Sequence, residues 1–222
     1  MLRILSNLIY GMASLFWWSF KSDTLKLKKL YGAYCLNYIR PINPVLVKAL
    51  VAGEDHRHYK HRGVDTIALI RAMWYFLFKA SLQGGSTIEQ QLVRTLTARY
   101  ERTLRRKVRE ILLASTVERI IPKKDIASVY LTIAYYGARM NGLQGALAHL
   151  GLSQFTLTYR EAASVVARLK YPEPASLSSR RHAQIQERTE HILRLMNEEV
   201  VTPIISSTDI SNGITSRTLT AS

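Results

Sequence analysis

Glu54 and Asp55 stand side by side in EDHRHYKHRGVD (residues 54–65), and further along GGSTIEQQLVR (residues 84–94) gathers hydroxyls, amides and a guanidinium. A carboxylate at a helix end among apolar residues is partly desolvated and can act as a general base or acid near neutral pH. The pair is equally consistent with a solvated acidic patch balancing His56, Arg57, His58 and Lys60. His56, His58 and His61 with Asp55 are borderline metal ligands, but their HxHxxH spacing follows no common zinc pattern, so no metal site is expected.

In the second segment Ser86, Thr87, Gln90 and Gln91 offer the neutral hydrogen-bonding groups that sugars and phosphates need, and Arg94 shares a helical face with Gln90. The order GxxxxGK[ST] of a nucleotide phosphate loop is missing. Read plainly, the segment is a helix cap followed by a polar surface. A third cluster follows, in which Arg102, Arg105, Arg106, Lys107 and Arg109 surround Glu110. Spaced ion pairs worth ~0.3 kcal/mol each would explain it. So would a pyrophosphate cradle, because guanidinium groups bind phosphate oxygens bidentately while one carboxylate organises them or holds a cation. Nucleic acid would also use this cluster, but it leaves the carboxylate pair and the apolar N-terminus without a role, so no nucleic-acid partner is expected.

The elements that must position these groups read as helices. Leu46, Val47, Leu50 and Val51 are spaced for a helix that delivers Glu54 at its C-terminal end. Residues 67–78 are apolar nearly all round, too few to span a bilayer, and fit either a core helix or one dipping into lipid. Gln83, Gly84 and Gly85 break that run, and Ser86 or Thr87 caps a helix running through Leu92. Leu104, Val108, Ile111, Leu112 and Ser115 form an apolar stripe, with Glu110 opposite it beside Arg106 and Lys107. Pro122 opens a helix to Tyr136 that Gly137 stops, and residues 142–150 form a short one. Thr158 with Glu161 is a capping box opening the helix to Leu169, and a last amphipathic helix occupies about 179–199. No strand pattern of convincing length appears, so the fold class is mainly α.

The chain has 222 residues, 47% of them hydrophobic, enough for one domain with appendages. A net charge of +15 favours an anionic partner: nucleic acid, a membrane surface or a phosphorylated substrate. Cys35 is the sole cysteine, which excludes an intrachain disulfide and a CxxC site. Residues 4–20 carry no charge and end in Phe16, Trp17 and Trp18, which reads as a retained membrane anchor at the lower length limit for a span. A shallow interfacial helix is the other form such a segment takes, and the lysines after it favour the cytoplasmic side. The organisation is then an anchor (1–20), a connector (21–45), a catalytic domain (46–200) and a disordered tail (201–222).

Together these residues resemble the peptidoglycan glycosyltransferases of family 51, over about residues 46–175. Glu54, Asp55, His61, Gly63 and Asp65 match EDxxFxxHxGxD; Gly84 to Leu92 match GGSTIxQQLxKN; Arg106, Lys107 and Glu110 match RKxxE; Lys123, Ile126, Tyr130 and Leu131 match KxxILExYLN, with Gly137, Gly142 and Ala146 in its continuation. The resemblance implies a two-lobed, lysozyme-like helical fold with a membrane-facing lobe, to which residues 67–78 would belong. It also implies polymerisation of lipid II into glycan strands on the outer side of the cytoplasmic membrane.

On that resemblance Glu54 is the general base, Asp55 its support and Glu110 the second carboxylate. Arg94, Arg102, Arg106, Lys107 and Arg109 would contact pyrophosphate, and Ser86, Thr87, Gln90 and Gln91 would line the cleft. No cofactor is required, with room for a divalent cation (Mg or Mn) near Glu110; other cell-wall synthesis proteins are candidate partners. The departures are His58 at an aromatic position, Arg94 and Thr95 for Lys and Asn, and Ala127, Ser128 and Thr132 for Leu, Glu and Asn. A lysozyme-like lytic muramidase and a non-catalytic lipid-pyrophosphate-binding scaffold are the competing readings.

Overall fold

The computed structural model describes residues 18–37, 41–67, 85–101, 103–176 and 178–212. These are mainly helical: α1 (Trp18–Asn37), α2 (Pro44–Glu54), α3 (Ile88–Thr97), α4 (Leu104–Ala114), α5 (Lys123–Ile133), a hairpin of β1 (Tyr135–Gly137) and β2 (Met140–Asn141), then α6 (Gly142–Leu150), α7 (Tyr159–Lys170) and α8 (Ser179–Asn212). Single 3₁₀ turns lie at His58–Lys60 and Val117–Arg119. Most of the expected anchor, the apolar run through residue 78, and residues 213–222 of the expected tail lie outside the described residues. Among the described residues no helix is long and apolar enough to cross a membrane.

Local chemistry accounts for the helix starts. Asn43 accepts from the Val45 N–H at 2.9 Å with Pro44 at the first helical position, and so opens α2. Thr87 caps α3 by accepting from the Gln90 N–H, and Thr158 with Glu161 forms the reciprocal capping box of α7. The core is built on α2, which packs against α7 and α8, and on α3, which packs against α4 and α5. Leu46, Leu50, Ile88, Leu92, Ile126, Val165 and Ile192 are among its fully buried members.

Several elements differ from the sequence reading. Residues 21–37, expected as connector, are helix, because Phe20, Asp23, Thr24 and Leu27 recur at helical spacing and are buried as α1 lies on α3 and α5. The helix expected to reach Tyr136 ends at Ile133, where Ala134 turns extended; Tyr136 is buried, donates to the Leu131 carbonyl at 2.9 Å, and belongs to the hairpin with Met140. α8 runs through Pro203 to Asn212 rather than ending near residue 199, with Val200, Val201, Ile204 and Ile205 continuing the apolar spacing.

The largest difference is α4. The first half of its apolar stripe faces outward, with Leu104 86% and Val108 47% exposed, while Leu112 packs partly against the core and Arg109, Glu110, Leu113 and Ala114 are buried. A charged part of this helix therefore lies on its inner side, beside Leu113 and Ala114. It stays inside because each buried charge is met: the Arg109 guanidinium donates to Asp23 on α1, and both side chains are almost wholly enclosed.

Gly63 fixes how the loop after α2 approaches α4. Its φ of +72° is left-handed, and a Cβ there would lie 2.2 Å from the Ala114 carbonyl oxygen.

The buried Asp23–Arg109 pair gives a direct test of α4's packing. Asp23→Ala strands a buried guanidinium and should lower the unfolding free energy by about 3 kcal/mol, read from the denaturant midpoint. Asp23→Leu combined with Arg109→Met should recover most of that loss, since no unpaired charge is left.

Candidate active site

The last residue of α2 is Glu54, so the helix brings its carboxylate to the edge of the α2, α3 and α8 packing. Gln91 of α3 donates through Nε2 to Glu54 Oε2 at 3.0 Å, and Arg188 of α8 donates to Oε1 at 3.1 Å. The same Arg188 nitrogen also donates to the Gly53 carbonyl. The Gln91 amide is held the right way round by Tyr130 of α5, whose hydroxyl donates to Oε1 at 2.8 Å. Burial first, and then the charge of Glu54, push the Tyr130 phenol far up, so it stays protonated and keeps donating.

One residue on, Asp55 is turned into the protein. Its Oδ2 accepts the Ile88 N–H of the first turn of α3 at 3.2 Å, and His61 Nε2 lies 2.9 Å from the same oxygen. Burial raises the affinity of this carboxylate for a proton. The His58 and His61 imidazoles and the Ile88 N–H outweigh that and hold it well below the usual carboxylate range. Asp55 therefore positions: it ties the loop after α2 to the start of α3, and Thr87 strengthens the tie by donating to the Gly63 carbonyl at 2.7 Å.

Glu110 of α4 is 3% exposed and meets three cations. Arg94 binds it as a fork, Nε to Oε2 at 2.9 Å and Nη2 to Oε1 at 3.0 Å. Arg106 donates to Oε2 and Lys107 to Oε1, the latter at 2.9 Å. Lys107 also donates to Gln90 Oε1 at 2.9 Å and Ser86 Oγ at 3.2 Å, gathering the second motif onto the third. Burial pushes the Glu110 carboxyl up, but Arg94 and Lys107 more than offset it and hold it below its ordinary value. Three cations on one carboxylate leave an excess of two positive charges. Both carboxylate oxygens already serve these donors, so the Glu110 site does not fit a divalent cation; it fits an anion.

Beside Glu110 a small pocket is walled by Arg94, Arg99, Arg106 and Arg109. Of the residues read from sequence as anion contacts, Arg94 and Arg106 line it and Lys107 meets Glu110 alongside, whereas Arg109 reaches the pocket wall with its guanidinium pinned by Asp23. Arg102 lies outside the described residues. Thr87 and Gln90 are buried and act as cap and brace rather than cleft lining; Ser86 and Gln91 remain partly exposed. Sequence reasoning missed Arg99, Tyr130 as a partner of Gln91, and Arg188. The first two carry a weak signal in being polar or aromatic near a motif, but Arg188 lies 134 residues from Glu54 and carries none. At the divergent positions Ser128 is buried and Thr132 spends its hydroxyl on the Val129 carbonyl at 2.7 Å, so neither supplies a reactive group.

The two carboxylates are joined through α3. Gln91 and Arg94, three residues apart on one helical face, reach Glu54 and Glu110 respectively. A base and an anion-binding cluster on either side of one helix can deprotonate a hydroxyl while holding a charged leaving group.

Comparison with known proteins gives the chain a family. The family model described as Transglycosylase matches residues 34–197. Penicillin-binding protein 1A of Escherichia coli (strain K12) is 35% identical over 163 residues, covering 72% of this chain and 19% of that protein. Penicillin-binding protein 1A of Aquifex aeolicus (strain VF5) is 35% identical over 161 residues, 71% of this chain and 22% of its own length. The monofunctional glycosyltransferase of Staphylococcus saprophyticus is 34% identical over 131 residues, 59% of this chain and 48% of the relative. The chain thus spans about a fifth of the two larger proteins and about half of the smaller one.

Glu110 should contribute stability that depends on pH with a definite sign. Its carboxyl is held lower in the folded state, so the contribution is full above the unfolded value of about 4.3 and fades as pH falls through the lowered folded value. The stability gap between the wild type and Glu110→Gln, measured by chemical denaturation, should be widest near neutrality and shrink below pH about 4.

Proposed function

Because the chain belongs to the transglycosylase family, we propose that it is a peptidoglycan glycosyltransferase that polymerises lipid II into glycan strands with release of undecaprenyl pyrophosphate. The observation that carries this reading is the split between one carboxylate held by an amide and a guanidinium, Glu54, and another buried beneath converging cations, Glu110.

In the reaction, a Glu54 carboxylate oxygen takes the proton of the acceptor sugar's 4-hydroxyl. The acceptor sugar's 4-oxygen, freed of its proton, attacks the anomeric carbon of the growing chain from the face opposite the pyrophosphate. The new glycosidic bond forms as the bond to the pyrophosphate oxygen breaks, and the anomeric configuration inverts. Negative charge builds on the departing oxygen, where Arg94, Arg99, Arg106 and Lys107 provide fixed donors and positive potential. Arg188 and Gln91 hold the Glu54 oxygens in place; Asp55 supports Glu54 by anchoring the loop beside it.

A lysozyme-like, two-lobed arrangement and attachment to the outer face of the cytoplasmic membrane belong to the same reading. A lipid-linked substrate must be reached at a lipid surface, and the outward apolar side chains Tyr100, Leu104 and Val108 beside basic Arg105 suit such contact. Lipid II and the nascent strand are then its partners, alongside other cell-wall synthesis proteins.

Purified protein incubated with labelled lipid II should yield long glycan. Glu54→Gln should cut the rate by at least about a hundredfold without loss of folding; polymer formed at an unchanged rate by that variant would rule out the base assignment. Arg99→Ala should lower kcat/KM by about tenfold through one lost pyrophosphate contact. Cleavage of finished glycan with no use of lipid II would favour a lytic enzyme instead.

A further inference from the structure

His58 occupies a position where the resembling family carries an aromatic residue, and nothing in the glycosyltransfer chemistry employs it. The structure encloses it fully, together with Glu89, the second residue of α3. Asp55 and His61 complete the group, and one ligating atom from each of the four lies within 4.8 Å of the others. Neither ring nitrogen of His58 has a hydrogen-bond partner, nor does Glu89 Oε2; His58 Nδ1 is 3.5 Å from Glu89 Oε1 and 3.8 Å from Asp55 Oδ2. Buried polar atoms in native proteins are paired, so a fully enclosed imidazole with both nitrogens idle between two carboxylates points to a bound species.

From this geometry we propose that Asp55, His58, His61 and Glu89 form a buried site for a divalent transition cation of the zinc type. Two imidazoles and two carboxylates are borderline ligands of the kind that bind zinc or cobalt tetrahedrally. The charge balance agrees. Lys123 lies 2.5 Å from Glu89 Oε1 and 3.3 Å from Glu118, so with neutral histidines three carboxylates face one ammonium. A dication neutralises the remaining two charges, which a site this dry would otherwise hold at high cost.

The spacing of histidines in the sequence does not reveal this site, because His56 is exposed and the fourth ligand comes from the second motif. Bound there, the ion joins the end of α2, the 3₁₀ turn and the start of α3 immediately behind Glu54. It is a structural staple, separate from the cationic pocket at Glu110, and it meets the reaction assigned above only through Asp55, which anchors the loop beside Glu54.

The test uses the full chain, stripped with a chelator and titrated with Zn²⁺ or Co²⁺ alone. One ion per chain should bind, Co²⁺ should develop the visible absorption of tetrahedral coordination, and Zn²⁺ should raise the thermal midpoint. Loss of a direct ligand in His58→Phe or Glu89→Gln should weaken binding by more than about a hundredfold. His58→Phe restores the family's residue type, and it should melt at the same temperature with or without chelator. Wild-type protein that takes up no stoichiometric ion would overturn the proposal. So would unchanged affinity in His58→Phe, or a His58 that magnetic resonance shows as an imidazolium paired with the carboxylates regardless of added metal.

Discussion

The N–H of Ile88 meets the buried carboxylate of Asp55, and the geometry of the site depends on that contact. A helix begins with backbone donors that lack partners, and a carboxylate placed there satisfies one while facing the positive end of the helix dipole. Here the carboxylate comes from the residue after Glu54. The position of α3 is therefore set relative to the Glu54 carboxylate by one peptide unit, the shortest covalent link available. Thr87, reaching the Gly63 carbonyl, closes the same joint from the other side, and Gly63 is free of a side chain because α4's end passes too near for one. Once α3 is seated, Gln91 and Arg94 fall on the side where Glu54 and Glu110 wait.

Electrostatics then separates the two carboxylates by environment rather than by type. Glu110 is dehydrated yet kept ionised by cations that outnumber it, and the surplus makes a region built for anions. Glu54 has one amide and one guanidinium and stays partly exposed. The cost of enclosing so many charges is met locally. Arg109 has Asp23, and Lys107 is shared among Glu110, Gln90 and Ser86. Polar side chains do in this interior much of what apolar contacts do elsewhere.

Where local chemistry determines structure, the sequence was sufficient. The Thr87 cap and the Thr158–Glu161 box are short-range devices, and each lies where its residues imply. The carboxylates were legible too, because motifs concentrate them. What stayed hidden depends on distant partners. The stripe on α4 was legible as a pattern, but not that Arg109 and Glu110 opposite it would be buried beside Leu113 and Ala114; only Asp23, Arg94 and their contacts explain that. α1 was obscured likewise, because its buried stripe contains Asp23 and Thr24, polar residues that weaken the periodic signal. Tyr136 was assigned to a helix by continuity, although its hydroxyl and the hairpin with Met140 place it outside.

Arg188 ties Glu54 to the last helix of the fold, across most of the chain's length. During synthesis the first motif emerges early, and α2, α3 and α4 can assemble long before α8 has left the ribosome. Until α8 docks, Glu54 lacks its guanidinium and the Gly53 carbonyl lacks its donor. The order of translation thus delays completion of the Glu54 contacts until nearly the whole domain exists, so that a partly made chain carries the motifs without these partners.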